Sequence, residues 1–589
     1  MKSIIFLLFI VVVLKADQLE SINQALKIGL DKDSYWLKLL HFENKKSTII
    51  DKSFFLSSDG DIDAKSELIQ TIKIFQSKPT TICRYPARYR WLNKRLNLNI
   101  KNQNCIELKK FLKPNFKKVK VIFTSERYDS PASIFGHTMM KIESDEIPYA
   151  INYAAKIPDK TDSISYIYKG LRGKFESGYS FTPFSLKDYE YRLGEFRDLI
   201  EFSLNLTSDE INNMMLHFYE IKDYKEDYYF LSHNCGSELI KLIDIAKYDS
   251  DISTKLQKIV IPINTIYLLE KHNYISSILK EESKLKQFYK IVSELNGDEK
   301  KLLFKIINNK YPIYKFSNSK DITDDIKDKI ILASVKYFEI HSIKNSLKKR
   351  FIYPYMKLID LEIKRGIEDI SDSKIVLDKN PISNRFHKLY GGVKYAKDST
   401  QTILGYRYLY RDRLDLIDSM KKNGSVELFD IAMRDKKNQI SLDHLTLLNL
   451  EAIPISNSFF KESINKIKVG VKRVFLDDKL YGYFDYSLGY KYSLNSYFNY
   501  QIFVKGGIYY NHKDIYLASA QSTLEYSYKN RYVSEFRVEL NSYTNGVYED
   551  IVTLDNYLKI KKDTTVNLCL NYKNQVDDLE MMLLLNYFF

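Results

Sequence analysis

The sequence predicts a three-part chain: a helical N-terminal region, an α+β domain, and a C-terminal antiparallel β-barrel of about twelve strands. Three observations predict it. From about residue 20 to 80, apolar residues recur at helical spacing, as in Leu37, Leu39 and Leu40 and again in Ile69, Ile72 and Ile74. From about 115 to 290, strand-like runs are interleaved with helical ones. From about 388 onward, apolar and polar residues alternate in runs that recur every ~15–20 residues.

The first element is a leader. Lys2 is its basic flank, Ile4 to Leu14 its apolar run, and Ala16 its small residue, so residues 1–16 read as a secretory signal peptide. The rest divides into 17–112 (helical), 113–290 (α+β), 291–385 (a helical, charged connector or an extension of the domain) and 386–589 (barrel). No later segment holds ~18 consecutive apolar residues, so no transmembrane helix is expected.

In the α+β domain, Val119 to Phe123, Ile134 to Ile142 and Tyr149 to Ala154 read as strands, and Phe196 to Leu206 as another. Thr207-Ser208-Asp209-Glu210 carries a helix start with an acidic first turn. A further helix begins at Cys235, with Leu239, Ile240, Leu242, Ile243 and Ile245 on its apolar face.

In the C-terminal part, Phe484, Tyr486, Leu488, Tyr490 and Tyr492 face one way, and Tyr481, Tyr483, Asp485, Ser487 and Lys491 the other. Aromatic-rich apolar faces opposite charged ones are the pattern of an outer-membrane barrel; a soluble barrel or sandwich is the alternative. The terminal Phe589 resembles the C-terminal signal of outer-membrane barrels. The signal's usual glycine is missing, and Met581 to Leu585 is apolar on both faces.

The formal net charge of +15 comes mostly from scattered lysines. Lysine, asparagine, isoleucine and tyrosine are abundant throughout, so the excess reads first as nucleotide bias, with attraction to anionic lipid or lipopolysaccharide as the alternative; nucleic acid is not expected as a partner of an exported chain. Of the four cysteines, Cys83 and Cys105 are a disulfide candidate in an oxidising compartment, leaving Cys235 and Cys569 as thiols. Cys569 sits in a strand-like run and reads as apolar filler. A Cys235–Cys569 bridge is the alternative.

Cys235 carries the chemistry. In Ser232-His233-Asn234-Cys235-Gly236-Ser237 a thiol opens a helix, where unpaired N–H groups favour its anion. His137, in Ser133-Ile134-Phe135-Gly136-His137, supplies a base. The pair suits attack on an ester or amide carbonyl to give a thioester. The Cys235 N–H, with Asn234 or His233, is the oxyanion candidate, and Ser133 is a supporting residue. No metal is expected, because no Cys-x-x-Cys or His-x-x-x-His spacing is present.

The segments Ser125 to His137 and Tyr229 to Cys235 resemble the two signatures of the DUF4105 family, the periplasmic domain of Lnb, a lipoprotein N-acyltransferase. Leu193 to Phe202 resembles its intervening Glu-x-Arg-Asp segment. The His-then-Cys order, with Asn234-Cys235 at a helix start, also resembles permuted papain-like enzymes of the NlpC/P60 and lecithin–retinol acyltransferase type. Their third residue lies on the strand after the histidine strand. Asn152 is the polar residue there, with Glu143 and Asp129 as rivals. The resemblance implies an envelope acyltransferase without a cofactor, taking an acyl chain from phospholipid to an amine such as a lipoprotein N-terminus. A thiol hydrolase of peptidoglycan peptides or lipid esters is one alternative. A non-catalytic outer-membrane barrel with a periplasmic binding module is the other.

Overall fold

The computed structural model describes residues 17–589 except 99, 102, 126–134, 159–162, 345–348, 370–373, 382–384, 397–398, 413, 417–423, 475–477 and 577. The expected leader, Ser133 and Asp129 lie outside the described residues. The chain divides into two compact units, one ending at Asp378 and one running from Lys379 to Phe589.

The first unit is built on an eight-stranded sheet. Its strands are β1 (Phe116–Thr124), β2 (His137–Ser144), β3 (Tyr149–Ala155), β4 (Phe175–Pro183), β5 (Leu199–Leu204), β6 (Glu226–Tyr228), β7 (Ile275–Glu281) and β8 (Ile375–Leu377). Their order is β8-β7-β5-β1-β2-β3-β4-β6, with every neighbour antiparallel. Strand β8 pairs with β7, so the segment after residue 290 completes this unit.

Helices α1 (Ala64–Ser77), α2 (Pro86–Leu96), α3 (Ser208–Ile221), α4 (Cys235–Asp244), α5 (Pro262–Lys271), α6 (Asp324–Lys344) and α7 (Lys349–Arg365) belong to the same unit. The Thr207-to-Glu210 signal forms a reciprocal capping box at the start of α3. Pro86 opens α2, where its missing N–H costs nothing.

The N-terminal region joins the sheet domain through α2. The Arg88 guanidinium donates to Glu67 Oε1 at 2.7 Å, and the Ala87 and Arg88 N–H groups donate to Glu220 of α3 at 2.6 and 3.0 Å. Beside them Trp36 stacks on Trp91 with ring centroids 5.8 Å apart.

Cys83 and Cys105 form a disulfide across 22 residues. Closing a loop of that size restricts the unfolded chain by about 3 kcal/mol. The Cys83→Ser, Cys105→Ser protein is therefore expected to lose about 2–4 kcal/mol in urea unfolding. An unchanged midpoint would show that the bridge does not stabilise the fold.

The second unit is a closed barrel of twelve antiparallel strands, from Lys388–Ala396 to Asp578–Phe588. Each strand pairs with the next, and the last closes on the first with Phe588 opposite Lys388. The alternation read from Leu480–Ser493 holds: Phe484, Tyr486, Leu488, Tyr490 and Tyr492 are exposed, while Tyr481, Tyr483, Asp485, Ser487 and Lys491 are buried in the lumen. Lumen charges form ion pairs, among them Lys491–Glu525 at 3.1 Å, Lys472–Asp485 at 3.2 Å and Lys505–Glu539 at 3.2 Å. In the last strand, Leu584 turns inward onto Tyr390, Ile403 and Ala432, which explains its second apolar face. An apolar exterior around a closed, charged lumen is the build of an outer-membrane barrel.

Candidate active site

Strand β2 begins on His137, and Gly136 makes that start possible. Its φ is +76°, and an added Cβ would fall 2.5 Å from the Phe123 ring. Only glycine fits this approach. Along β2 and β3, alternation puts His137 and Asn152 on the same face as Met139 and Ala150, which pack with Ile122, Phe184, Tyr191 and Leu199. The Tyr191 ring stacks on the imidazole at 5.9 Å.

Asn152 Oδ1 lies 2.5 Å from His137 Nε2. A carboxamide oxygen only accepts, so Nε2 carries its proton and Nδ1 is left as the basic atom. His137 lies beside the Cys235 thiol, the two groups acting electrostatically on each other, and the neighbouring Thr138 also favours the thiolate. Cys235, His137 and Asn152 thus meet at one place. Glu143 lies six residues further along β2 and pairs with Lys120 at 2.6 Å.

Cys235 is the first residue of α4, and Asn234 is its cap. Asn234 Oδ1 accepts from Gly236 and Ser237 N–H at 2.9 and 3.3 Å. Its Nδ2 donates to the carbonyls of Phe230 and Val260 at 3.0 and 2.7 Å. The expected oxyanion donor is therefore occupied as a structural clip, and the cap does not use the Cys235 N–H. His233 is also engaged elsewhere, with Nε2 at 3.0 Å from Glu43 and Nδ1 at 3.2 Å from Ser232 Oγ. Cys235 and Cys569 are both free.

Electrostatics favour the thiolate. Burial pushes the Cys235 thiol up, but the adjacent His137 and Thr138 outweigh this and bring it down to about 7. Burial lowers His137, while Cys235 and Asn152 outweigh that and raise it. Arg197 opposes them from nearby. Its guanidinium holds Glu195 at 2.8 Å and the carbonyls of Ser125 and Thr124 at 2.6 and 3.2 Å, anchoring the end of β1.

A buried polar network braces α4 from behind. Lys241 pairs with Glu238 at 2.8 Å and Glu43 at 2.7 Å, and His41 pairs with Glu226 at 3.0 Å and touches His217 at 3.1 Å. Burial pushes Glu238 up to about 7, and burial on Glu226 is outweighed by His41, which holds it well below the usual range. His41, Glu226 and Glu238 bring metal-ligand atoms within 4.8 Å of one another. Sequence reading gave His41 and His217 no role and missed Thr138, Tyr191 and Glu238. The spacing of Glu238, one turn after Cys235, was the available signal.

Residues 112–272 match the family model of the Lnb N-terminal periplasmic domain. Residues 29–95 and 383–588 match two domains of unknown function, DUF7843 and DUF7840. No match was found among curated proteins. Among solved structures, the KdgM porin in complex with disordered oligogalacturonate is 10% identical over 34% of this chain and 99% of its own, with a TM-score of 0.23. The NanC porin is 9% identical over 34% and 98%, with a TM-score of 0.25. The COG4313 outer membrane channel from Pseudomonas putida F1 is 11% identical over 36% and 97%, with a TM-score of 0.24. The barrel's own strand pairing and exposed apolar face, not these likenesses, carry its description. The chain is an outer-membrane barrel protein with a periplasmic domain.

Proposed function

We propose that the chain is a thiol acyltransferase of the envelope, of the permuted papain-like type, with phospholipid as acyl donor and an amine such as a lipoprotein N-terminus as acceptor. The observation that carries the reading is the Cys235–His137–Asn152 cluster, with a buried thiol brought down to about 7 at a helix start. The Lnb match over 112–272 contains all three of these residues and is in keeping with the reading.

The steps balance without a cofactor. The Cys235 thiolate attacks the ester carbonyl, and the developing oxyanion faces the Cys235 N–H. The C–O bond breaks, the imidazolium of His137 gives its proton to the lysophospholipid alkoxide, and a thioester remains on Cys235. His137 then takes a proton from the incoming amine. The amine attacks the thioester, the C–S bond breaks, and the amide leaves with the thiolate restored. Asn152 holds the imidazole so that Nδ1 faces sulfur throughout.

Intact-mass and peptide mass spectrometry of the purified full chain incubated with phospholipid tests this. An acyl adduct on Cys235 is expected, absent from Cys235→Ala and discharged by a lipopeptide amine as an amide. Discharge only to free fatty acid would make the enzyme a hydrolase. No adduct, with Cys235→Ala behaving alike, would leave only a binding module.

A further inference from the structure

We infer that the exposed face of α7 is a membrane-docking surface that lies on an anionic phospholipid leaflet. Helix α7 has two apolar faces. The inner one packs on α6, with Phe351 and Tyr355 against the Phe338 ring at 5.9 and 5.8 Å and with Leu358 buried. The outer one is a stripe at positions i, i+4 and i+11. Ile352 is 47% exposed, Met356 58% and Ile363 74%. Tyr353 beside it is 70% exposed, and the Lys357 ammonium sits 5.7 Å over its ring. Scattered single exposed apolar residues are ordinary, but an aligned stripe along one helix is not.

Two features name the occupant. The first is charge. The α7 sequence holds five basic residues (Lys349, Arg350, Lys357, Lys364, Arg365) and two acidic ones (Asp360, Glu362), a balance of +3. Lys364 pairs with Asp360 and Arg365 with Asp324 and Asp328 of α6, which leaves Lys349, Arg350 and Lys357 as the cations for a surface. A basic helix with an apolar stripe and an interfacial tyrosine suits an anionic lipid surface. The second is continuity with the membrane. Strand β8 ends at Leu377 and the barrel begins at Lys388. Eleven residue steps separate the first unit from a barrel whose apolar exterior is built for lipid, so a lipid surface is part of the same molecule's setting. The inference deepens the acyltransfer reading by seating the thiol domain on its lipid, but its test uses no chemistry of the thiol.

The experiment places one nitroxide label at Met356→Cys in the full chain carrying Cys235→Ala and Cys569→Ala. The protein is reconstituted without reductant in phosphatidylethanolamine/phosphatidylglycerol nanodiscs. Accessibility to oxygen and to a water-soluble nickel chelate is measured by electron paramagnetic resonance. High oxygen and low nickel accessibility at position 356 is the expected result. High nickel accessibility would put the stripe in water. Low accessibility to both would put it against protein. Either outcome overturns the inference, while an adduct-forming Cys235 in the native chain would leave the acyltransfer reading standing.

Discussion

Replacing His137 with alanine is expected to slow alkylation of Cys235 at pH 7 by roughly fifty- to a hundred-fold. The sign follows from the opposing influences on the thiol. Burial alone raises it, and His137 is the largest group lowering it to about 7. At that value about half the thiol is ionised at neutral pH, and reactivity falls as the pH drops through about 7. Without the imidazole, burial prevails, the midpoint passes 9.0, and about one molecule in a hundred or fewer carries the thiolate at pH 7. The two groups titrate together, so the profile of the native protein belongs to the pair. Iodoacetamide labelling against pH, read by mass spectrometry in a Cys569→Ala background, measures this directly. Superimposable profiles for native and His137→Ala proteins would remove the imidazole from the chemistry.

Legibility from sequence followed locality. The barrel was readable because a strand between lipid and lumen must alternate with period two, and residues 480–492 do so without a break. Asn152 was readable for the same reason: it faces opposite its apolar neighbours on the strand after His137. The Thr207–Glu210 capping box is complete within four residues and was equally plain. What failed was non-local. Strand β8 is three residues long and gains its identity only by pairing with β7. Asn234 looked like an oxyanion donor because nothing in its own segment shows that the Val260 carbonyl takes its amide. The network behind α4 gathers His41, His217, Glu226 and Glu238 from four separate segments. No local pattern records that burial would pair them.

Arg88→Met is expected to destabilise the first unit by about 3–5 kcal/mol, because it strands buried carboxylates without their partner. Glu67 and Arg88 are fully buried and Glu220 nearly so, and both carboxylates are tied to the Arg88 guanidinium, Glu220 also to the start of α2. The loss depends on pH, with a sign fixed by Glu220. Burial raises its carboxyl to about 7, against which Arg88 and two backbone N–H groups pull down. A carboxyl raised in the folded state favours folding at acid pH, where it is protonated, and loses that advantage as the pH rises through its folded value. Removing Arg88 lets Glu220 climb further, so the variant is closest to the native protein near pH 5 and falls furthest behind it at pH 8. The chain's two tryptophans, Trp36 and Trp91, stack on each other next to this cluster, so tryptophan fluorescence during urea unfolding reports on this region rather than on the barrel. Equal midpoints for both proteins at pH 5 and pH 8 would mean that α2 and α3 are held together by packing alone.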